Sequence, residues 1–182
     1  MVKSPLVSIF FLLATIYSLA FAAPLQPDGI STFIKDLHQL SGGIHRLASA
    51  VNSVGKTITV AEGLAIHKAA AEVQADLDKS NSDVKGVHFI SFKEASEVLG
   101  INKGYAPVIV QALRRFGEKK SVIDRKFHNE IPAIKQALVA LRNSAAKLGN
   151  AIIALEPTSL KGEAKHLKNE INAAFDETIA IY

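Results

Sequence analysis

The sequence predicts an all-α fold, a single-domain, up-and-down bundle of about five or six helices. Three observations predict it. Apolar residues recur at alternating steps of three and four over long stretches, and helix-start and helix-stop residues bracket those stretches. No stretch alternates residue by residue with β-branched enrichment, so strands are not expected. Steps of three and four keep one stripe of a helix turned toward a partner.

The chain opens with Lys3, an apolar run from Leu6 to Phe21, and the closing Ala20-Phe21-Ala22. A charged start, an apolar middle and small residues before the cut form the pattern of a secretory signal peptide. A permanent transmembrane helix is the competing reading. Against it, the run is short for a span, Tyr17 and Ser18 interrupt it, and no basic cluster follows. Cleavage is expected between Ala22 and Ala23, with residues 1–22 as signal peptide and 23–182 as one extracellular domain. That location excludes cytosolic metabolism and the nucleus.

In the mature chain the first stripe runs through Ile30, Phe33, Leu37, Leu40, Ile44, Leu47, Val51, Val54 and Ile58, flanked by Ile34 and Ala48. The pair Gly42-Gly43 lies inside it, as a kink or as a point where another backbone or a ligand approaches closely; the kink is preferred. Thr59 followed by Glu62 and Ser91 followed by Glu94 are capping boxes, so helices should begin near Val60 and Phe92, separated by the loop Lys85–Ile90. Gly100, Gly104 and Pro107 predict a break between a short third helix and a longer fourth. The inward stripe of that fourth helix is Tyr105, Ile109, Ala112, Phe116, Ile123 and Phe127. Pro132 suits the first turn of a helix opening near Glu130, with the stripe Ile131, Ile134, Leu138, Leu141, Ala145, Leu148, Ile152 and Leu155, flanked by Ala137 and Ile153. Pro157 stops that helix, and Thr158 or Ser159 is the expected cap of the last. The last stripe is Leu160, Ala164, Leu167, Ile171, Ala174, Thr178 and Ile181. Each stripe can bury only if all helices are present, which makes this one domain, and stripes wider than two residues per heptad favour a globular bundle over a two-stranded coil.

Composition narrows the function. With no cysteine in 182 residues, the fold must hold by packing alone, which excludes thiol chemistry and the disulfide-framed hydrophobin type of surface protein. Without Lys3, 20 basic face 17 acidic side chains, a net charge of +3. Lys103–His128 alone carries +5, through Lys103, Arg114, Arg115, Lys119, Lys120, Arg125 and Lys126 against Glu118 and Asp124. Such a stripe is ordinarily a solvated helix face, and secretion argues against nucleic acid. The chain has no Asn-x-Ser/Thr sequon, and its last residues lack the spacer and apolar tail of a lipid-anchor signal, so N-linked glycans and such an anchor are not expected.

Catalysis and metals find little support. A bundle diiron site needs two Glu-x-x-His motifs and two further carboxylates, whereas Glu163-Ala-Lys-His166 has no second copy. No nucleophile elbow, zinc-protease motif, Walker loop or dinucleotide fingerprint occurs, so no catalytic residue, metal or cofactor is assigned. His67 sits on a strongly apolar helix, either as an interfacial histidine or as a polar anchor for a ligand carboxylate.

One segment, Glu62-Gly63-Leu64-Ala65-Ile66-His67-Lys68-Ala69-Ala70-Ala71-Glu72-Val73-Gln74-Ala75-Asp76-Leu77-Asp78-Lys79, resembles the second helix of the fungal hydrophobic-surface-binding protein A family, which includes the antigenic cell-wall galactomannoproteins. Leu160–Lys165, Ile171–Asp176, Val51-Asn52 and Tyr105-Ala106-Pro107 also fit, in order, across nearly the whole mature chain. The resemblance implies a secreted or wall-associated fungal protein that adsorbs to hydrophobic solids. For some relatives it implies an enclosed fatty acid, and for some the recruitment of a secreted polyester-degrading hydrolase. The chain lacks the Ser/Thr-rich tail of the galactomannoprotein branch, so free secretion is the expectation.

Facing Ala residues leave space that Leu or Phe would fill, and an acyl chain entering such a space gains about 0.8 kcal/mol per buried methylene. The expected apolar lining is Phe33, Leu37, Leu40, Ile66, Val73, Ile109, Leu113, Phe116, Leu138, Leu141, Ile171 and Phe175. His67 is the expected polar contact, and Arg114 or Lys119 would meet a carboxylate at a mouth. The alternative is an adaptor or effector that binds a protein partner through an outer helix face, without lipid.

Overall fold

The computed structural model describes residues 29–182, so the signal peptide and its cleavage site lie outside the described residues. Those residues form six helices and no strand: α1 (Gly29–Ser53), α2 (Val60–Asp83), α3 (Phe92–Glu118), the short α4 (Lys120–Phe127), α5 (Ile131–Leu155) and α6 (Thr158–Ile181). Single 3₁₀ turns, Val84–Gly86 and His128–Glu130, follow α2 and α4.

Both capping boxes form as the sequence requires. The Thr59 hydroxyl accepts from the Glu62 amide at 3.2 Å while Glu62 Oε2 accepts from the Thr59 amide at 2.7 Å, and Ser91 with Glu94 repeats the exchange. Each box satisfies two amides that the first helical turn leaves without partners. The stripe of α1 outruns its helix: α1 stops at Ser53, and Val54 and Ile58 reach the core from the following loop.

Three local expectations need correction. The break expected at Gly100, Gly104 and Pro107 does not occur, and α3 runs unbroken from Phe92 to Glu118 with Pro107 inside it. Its buried face is continuous through Val98, Leu99, Asn102, Tyr105, Ala106 and Ile109, and that packing outweighs propensity costs of about 1 kcal/mol per Gly and 3 kcal/mol for Pro. The chain turns instead at Lys119, between α3 and α4. At α6 neither Thr158 nor Ser159 caps; Pro157 is the flanking residue, its carbonyl accepting from the Leu160 and Lys161 amides at 2.9 and 3.2 Å. Gly42-Gly43 does not interrupt α1. Gly43 is a point of close approach, where an added Cβ would lie 3.0 Å from Asp76 Oδ2 and 3.4 Å from Val73 Cγ2 on α2.

The long helices close into a ring. α1 packs on α2, α2 on α5, α5 on α6, α6 on α3, and α3 back on α1. Polar contacts fix the directions. Gln39 with Asp76 and Arg46 with Glu72 set α1 antiparallel to α2, and Arg142 with Asp176 and Asn150 with Lys168 set α5 antiparallel to α6. Lys103 with Glu163, and the Thr178 hydroxyl on the Leu113 carbonyl, make α3 and α6 parallel neighbours. Lys119 Nζ and Arg125 Nη2 each donate at 3.4 Å to the loop after α1, through the Gly55 and Lys56 carbonyls, so α4 covers one end of the ring. The other end carries the 84–91 loop. Five helices around one axis leave a central column that side chains must fill.

Candidate functional site

The column is not full. Toward the α4 end lies a cavity of about 130 Å³, walled by α1 (Leu47, Val51), α2 (Ile66, Ala70, Val73), α3 (Ile109, Ala112, Leu113, Phe116), α4 (Ile123, Phe127), α5 (Ile134, Leu138, Leu141) and Phe175 of α6. Val60 and Leu64, each 40% exposed, belong to the same wall and mark its mouth. Gly63 sets the shape here: a Cβ on it would lie 2.8 Å from Phe127 Cζ, so its absence lets that ring close over the helix. A second cavity of about 60 Å³ continues along the axis, between Leu40, Ile44, Leu77, Leu99, Leu148, Ile152, Ala164, Leu167 and Ile171.

Of the expected lining residues, Ile66, Val73, Ile109, Leu113, Phe116, Leu138, Leu141 and Phe175 border the larger cavity, and Leu40 and Ile171 border the smaller. Phe33 and Leu37 border neither; both are wholly inaccessible, closed core at the far end of α1. Arg114 stands exposed, one residue away from the buried Ala112-Leu113 face, and Lys119 donates to the Gly55 carbonyl; neither borders a cavity. His67 does border the larger one. Residues absent from the expected set are Val51, Ile58, Ile123, Phe127 and Ile134, all of which sat on the apolar stripes, and the small Ala70, Ala112 and Ala137 that leave the space open.

Among the described residues only two ionisable side chains, His67 and Glu130, border the larger cavity. Burial pushes His67 below its ordinary value, so the imidazole is neutral at physiological pH. The smaller cavity is more polar, with Asn102, Tyr105, Lys168 and Asn172 in its wall. There the Tyr105 hydroxyl donates to Asn102 Oδ1 and the Asn102 amide to the Val98 carbonyl at 2.8 Å; burial drives the Tyr105 phenol well above its usual range. Glu163 pairs with Lys103 at 2.7 Å and His166 lies 3.5 Å from Glu170, so the lone Glu-x-x-His motif is engaged in separate surface pairs. Among the described residues no cluster of three His, Cys, Asp or Glu side chains is placed to hold a metal ion, and no helix is long and apolar enough to cross a membrane.

Fold and site together define a class: an all-helical protein whose ring of helices encloses an apolar space. The chain belongs to the hydrophobic surface binding protein A family, whose profile matches residues 30–154. It is similar in fold to a crystal structure of Afmp4p in complex with palmitic acid, with a TM-score of 0.75 at 22% identity over 84% of this chain and 98% of that one. Ligand-binding domain 1 of the Penicillium marneffei MP1 protein, complexed with arachidonic acids, aligns with a TM-score of 0.74 at 15% identity over 84% of this chain and 97% of that one. Domain 2 of the same protein, complexed with multiple arachidonic acids, gives 0.73 at 15% identity over 87% and 97%. No curated protein matches the sequence significantly.

Proposed function

We propose that this chain is a secreted, non-catalytic protein that takes the acyl chain of a fatty acid or related lipid into the axial cavity. The larger cavity carries the reading, because its wall is hydrocarbon apart from His67 and Glu130. An engineered apolar cavity of about 150 Å³ stays dry and accepts benzene, and the space here is of that order. Ten methylenes transferred from water would contribute about 8 kcal/mol, the scale of micromolar affinity before the costs of immobilisation. The fatty acids held by Afmp4p and MP1 in the same fold support the reading. The apolar wall would hold the chain, with His67 as a neutral polar contact. Secretion rests on the signal-peptide pattern of residues 1–22. Titration of delipidated protein with palmitic acid tests the proposal: saturable binding at one site is expected, and an absence of heat or spectral change at millimolar ligand overturns it.

A second reading, adsorption to hydrophobic solids, is favoured by the loop at the end opposite α4. Phe89 is 81% exposed and Phe92 62%, an unusual display for aromatics of this size. Two protruding rings give a waxy or plastic surface an apolar foothold without unfolding the bundle.

A further inference from the structure

We infer that the two cavities are compartments of a single ligand path, in which a fatty acid places its carboxylate at Lys168 and Asn172 and threads its chain past Phe175, the septum between them. This rests on the fatty-acid reading above and adds an orientation and a specificity-determining side chain.

Val73, Ile109 and Phe175 border both cavities, so these three side chains form the wall between them. Val73 and Ile109 are β-branched and sit on helices, where one χ1 rotamer dominates. Phe175 is the largest of the three and turns about two side-chain angles, so it is the member that can yield. When it swings aside, spaces of about 130 and 60 Å³ join along the axis.

The polar groups differ between the compartments. At the α4 end, Glu130 would repel a carboxylate, and the half-buried His67, held below its ordinary pKa by desolvation, offers no positive charge. Among the described residues, the smaller compartment holds the only lysine in either wall. The stem of Lys168 lies across Gly149, where a Cβ would come within 2.7 Å of its Cγ, and this holds the chain against α5. Its ammonium donates to the neutral Asn150 Oδ1 at 2.8 Å, and no carboxylate pairs with it among the described residues. Beside it, one turn along α6, Asn172 makes no side-chain hydrogen bond in the protein, so its Nδ2–H groups are open to an acceptor, whereas its buried Oδ1, itself an acceptor, adds nothing to a carboxylate. Asn102 and Tyr105 are satisfied by each other and by the backbone, so Lys168 and Asn172 are the groups left to receive a headgroup. A carboxylate there takes an ammonium proton on one oxygen and an amide N–H on the other, an arrangement stronger than neutral hydrogen bonding.

Two experiments test this. In crystals grown with palmitic acid brominated at its terminal carbon, anomalous density is expected near Val60, Leu64 and Ile134; bromine beside Lys168 would reverse the orientation and overturn the inference. Hexanoic, decanoic and palmitic acids are then titrated into the wild type, Phe175→Ala, Phe175→Leu and Lys168→Met, each checked for folding by circular dichroism. Phe175→Ala should bind palmitic acid about tenfold tighter, with Phe175→Leu between it and wild type, while hexanoic acid, which stops short of the septum, changes less than about twofold. Lys168→Met should weaken palmitic acid about tenfold and leave palmityl alcohol unchanged. Equal effects at every chain length, or equal effects on acid and alcohol, overturn the inference while the fatty-acid reading stands. Wild type that binds none of the acids overturns both.

Discussion

Replacing Ala112 with phenylalanine would plug the larger cavity from its own wall. Ala112 is buried at 4% exposure and borders that cavity, so the new ring enters a space of about 130 Å³. Benzene fits an apolar cavity of about 150 Å³, which makes the added phenyl group close to the largest graft the site can take. Burying the ring contributes about 1.5–3 kcal/mol, offset by strain of about 1–3 kcal/mol. The folded protein should therefore lie between about 1.5 kcal/mol less and about 2 kcal/mol more stable than wild type, a melting temperature within about 6 °C of it for a domain of this length. Ligand binding should collapse. A ring that excludes about four methylenes removes about 3 kcal/mol, or roughly two-hundredfold in affinity. Palmitic acid at a hundred times its dissociation constant stabilises wild type by about 2.7 kcal/mol, or roughly 5–10 °C, whereas the same concentration should move the variant by less than about 1 °C. Thermal melts by circular dichroism, with and without palmitic acid, read both effects. A variant that melts many degrees below wild type would show that the space is already filled; one that keeps the full ligand-induced shift would show that the lipid binds elsewhere.

Other perturbations probe the fold and its surface. Glu156 is buried at 3% exposure with neither carboxylate oxygen hydrogen-bonded in the protein, and burial pushes its carboxyl above the ordinary value of 4.5. A raised folded pKa favours folding below the unfolded value, and that contribution is lost as pH rises through the folded value, so ionised Glu156 weakens the bundle at neutral pH. Glu156→Gln should accordingly melt higher than wild type at pH ~7 and match it near pH ~4, where both are neutral; equal melts at both pH values would contradict this. Ser91→Ala removes the acceptor for the Glu94 amide and should cost about 1 kcal/mol, or roughly 2–4 °C, by the same melts. Phe89→Ser with Phe92→Ser should cut adsorption to polystyrene or Teflon several-fold, read by depletion from solution. It should leave stability and palmitic acid affinity unchanged, because both rings are exposed and border neither cavity.

The fold was largely written in local chemistry. Helix starts at Val60 and Phe92 follow from side chains three residues apart, and the buried stripes follow from helical geometry. What local chemistry misjudged was settled by packing between distant segments. Pro107 and two glycines look like a break until Val98, Asn102, Tyr105 and Ile109 are seen to bury against α1 and α6 as one face. Gly43 looks like a kink until Val73 and Asp76 arrive beside it. The site shows the same division. A stripe names the residues that point inward, but not the level along the axis at which the column is full. Phe33 and Leu37 share spacing with Leu40, yet only Leu40 reaches a cavity. The alanines at 70, 112 and 137 that open the larger space carried the signal, and their convergence depends on the ring order of the helices, which spacing along one helix does not encode.

The most direct test is non-denaturing mass spectrometry of the delipidated protein after equimolar palmitic acid is added. The predicted spectrum is dominated by protein carrying one fatty acid, and the Ala112→Phe variant under identical conditions by the bare chain. Bare wild-type protein at ligand concentrations well above micromolar would contradict the claim that this helical ring holds an acyl chain.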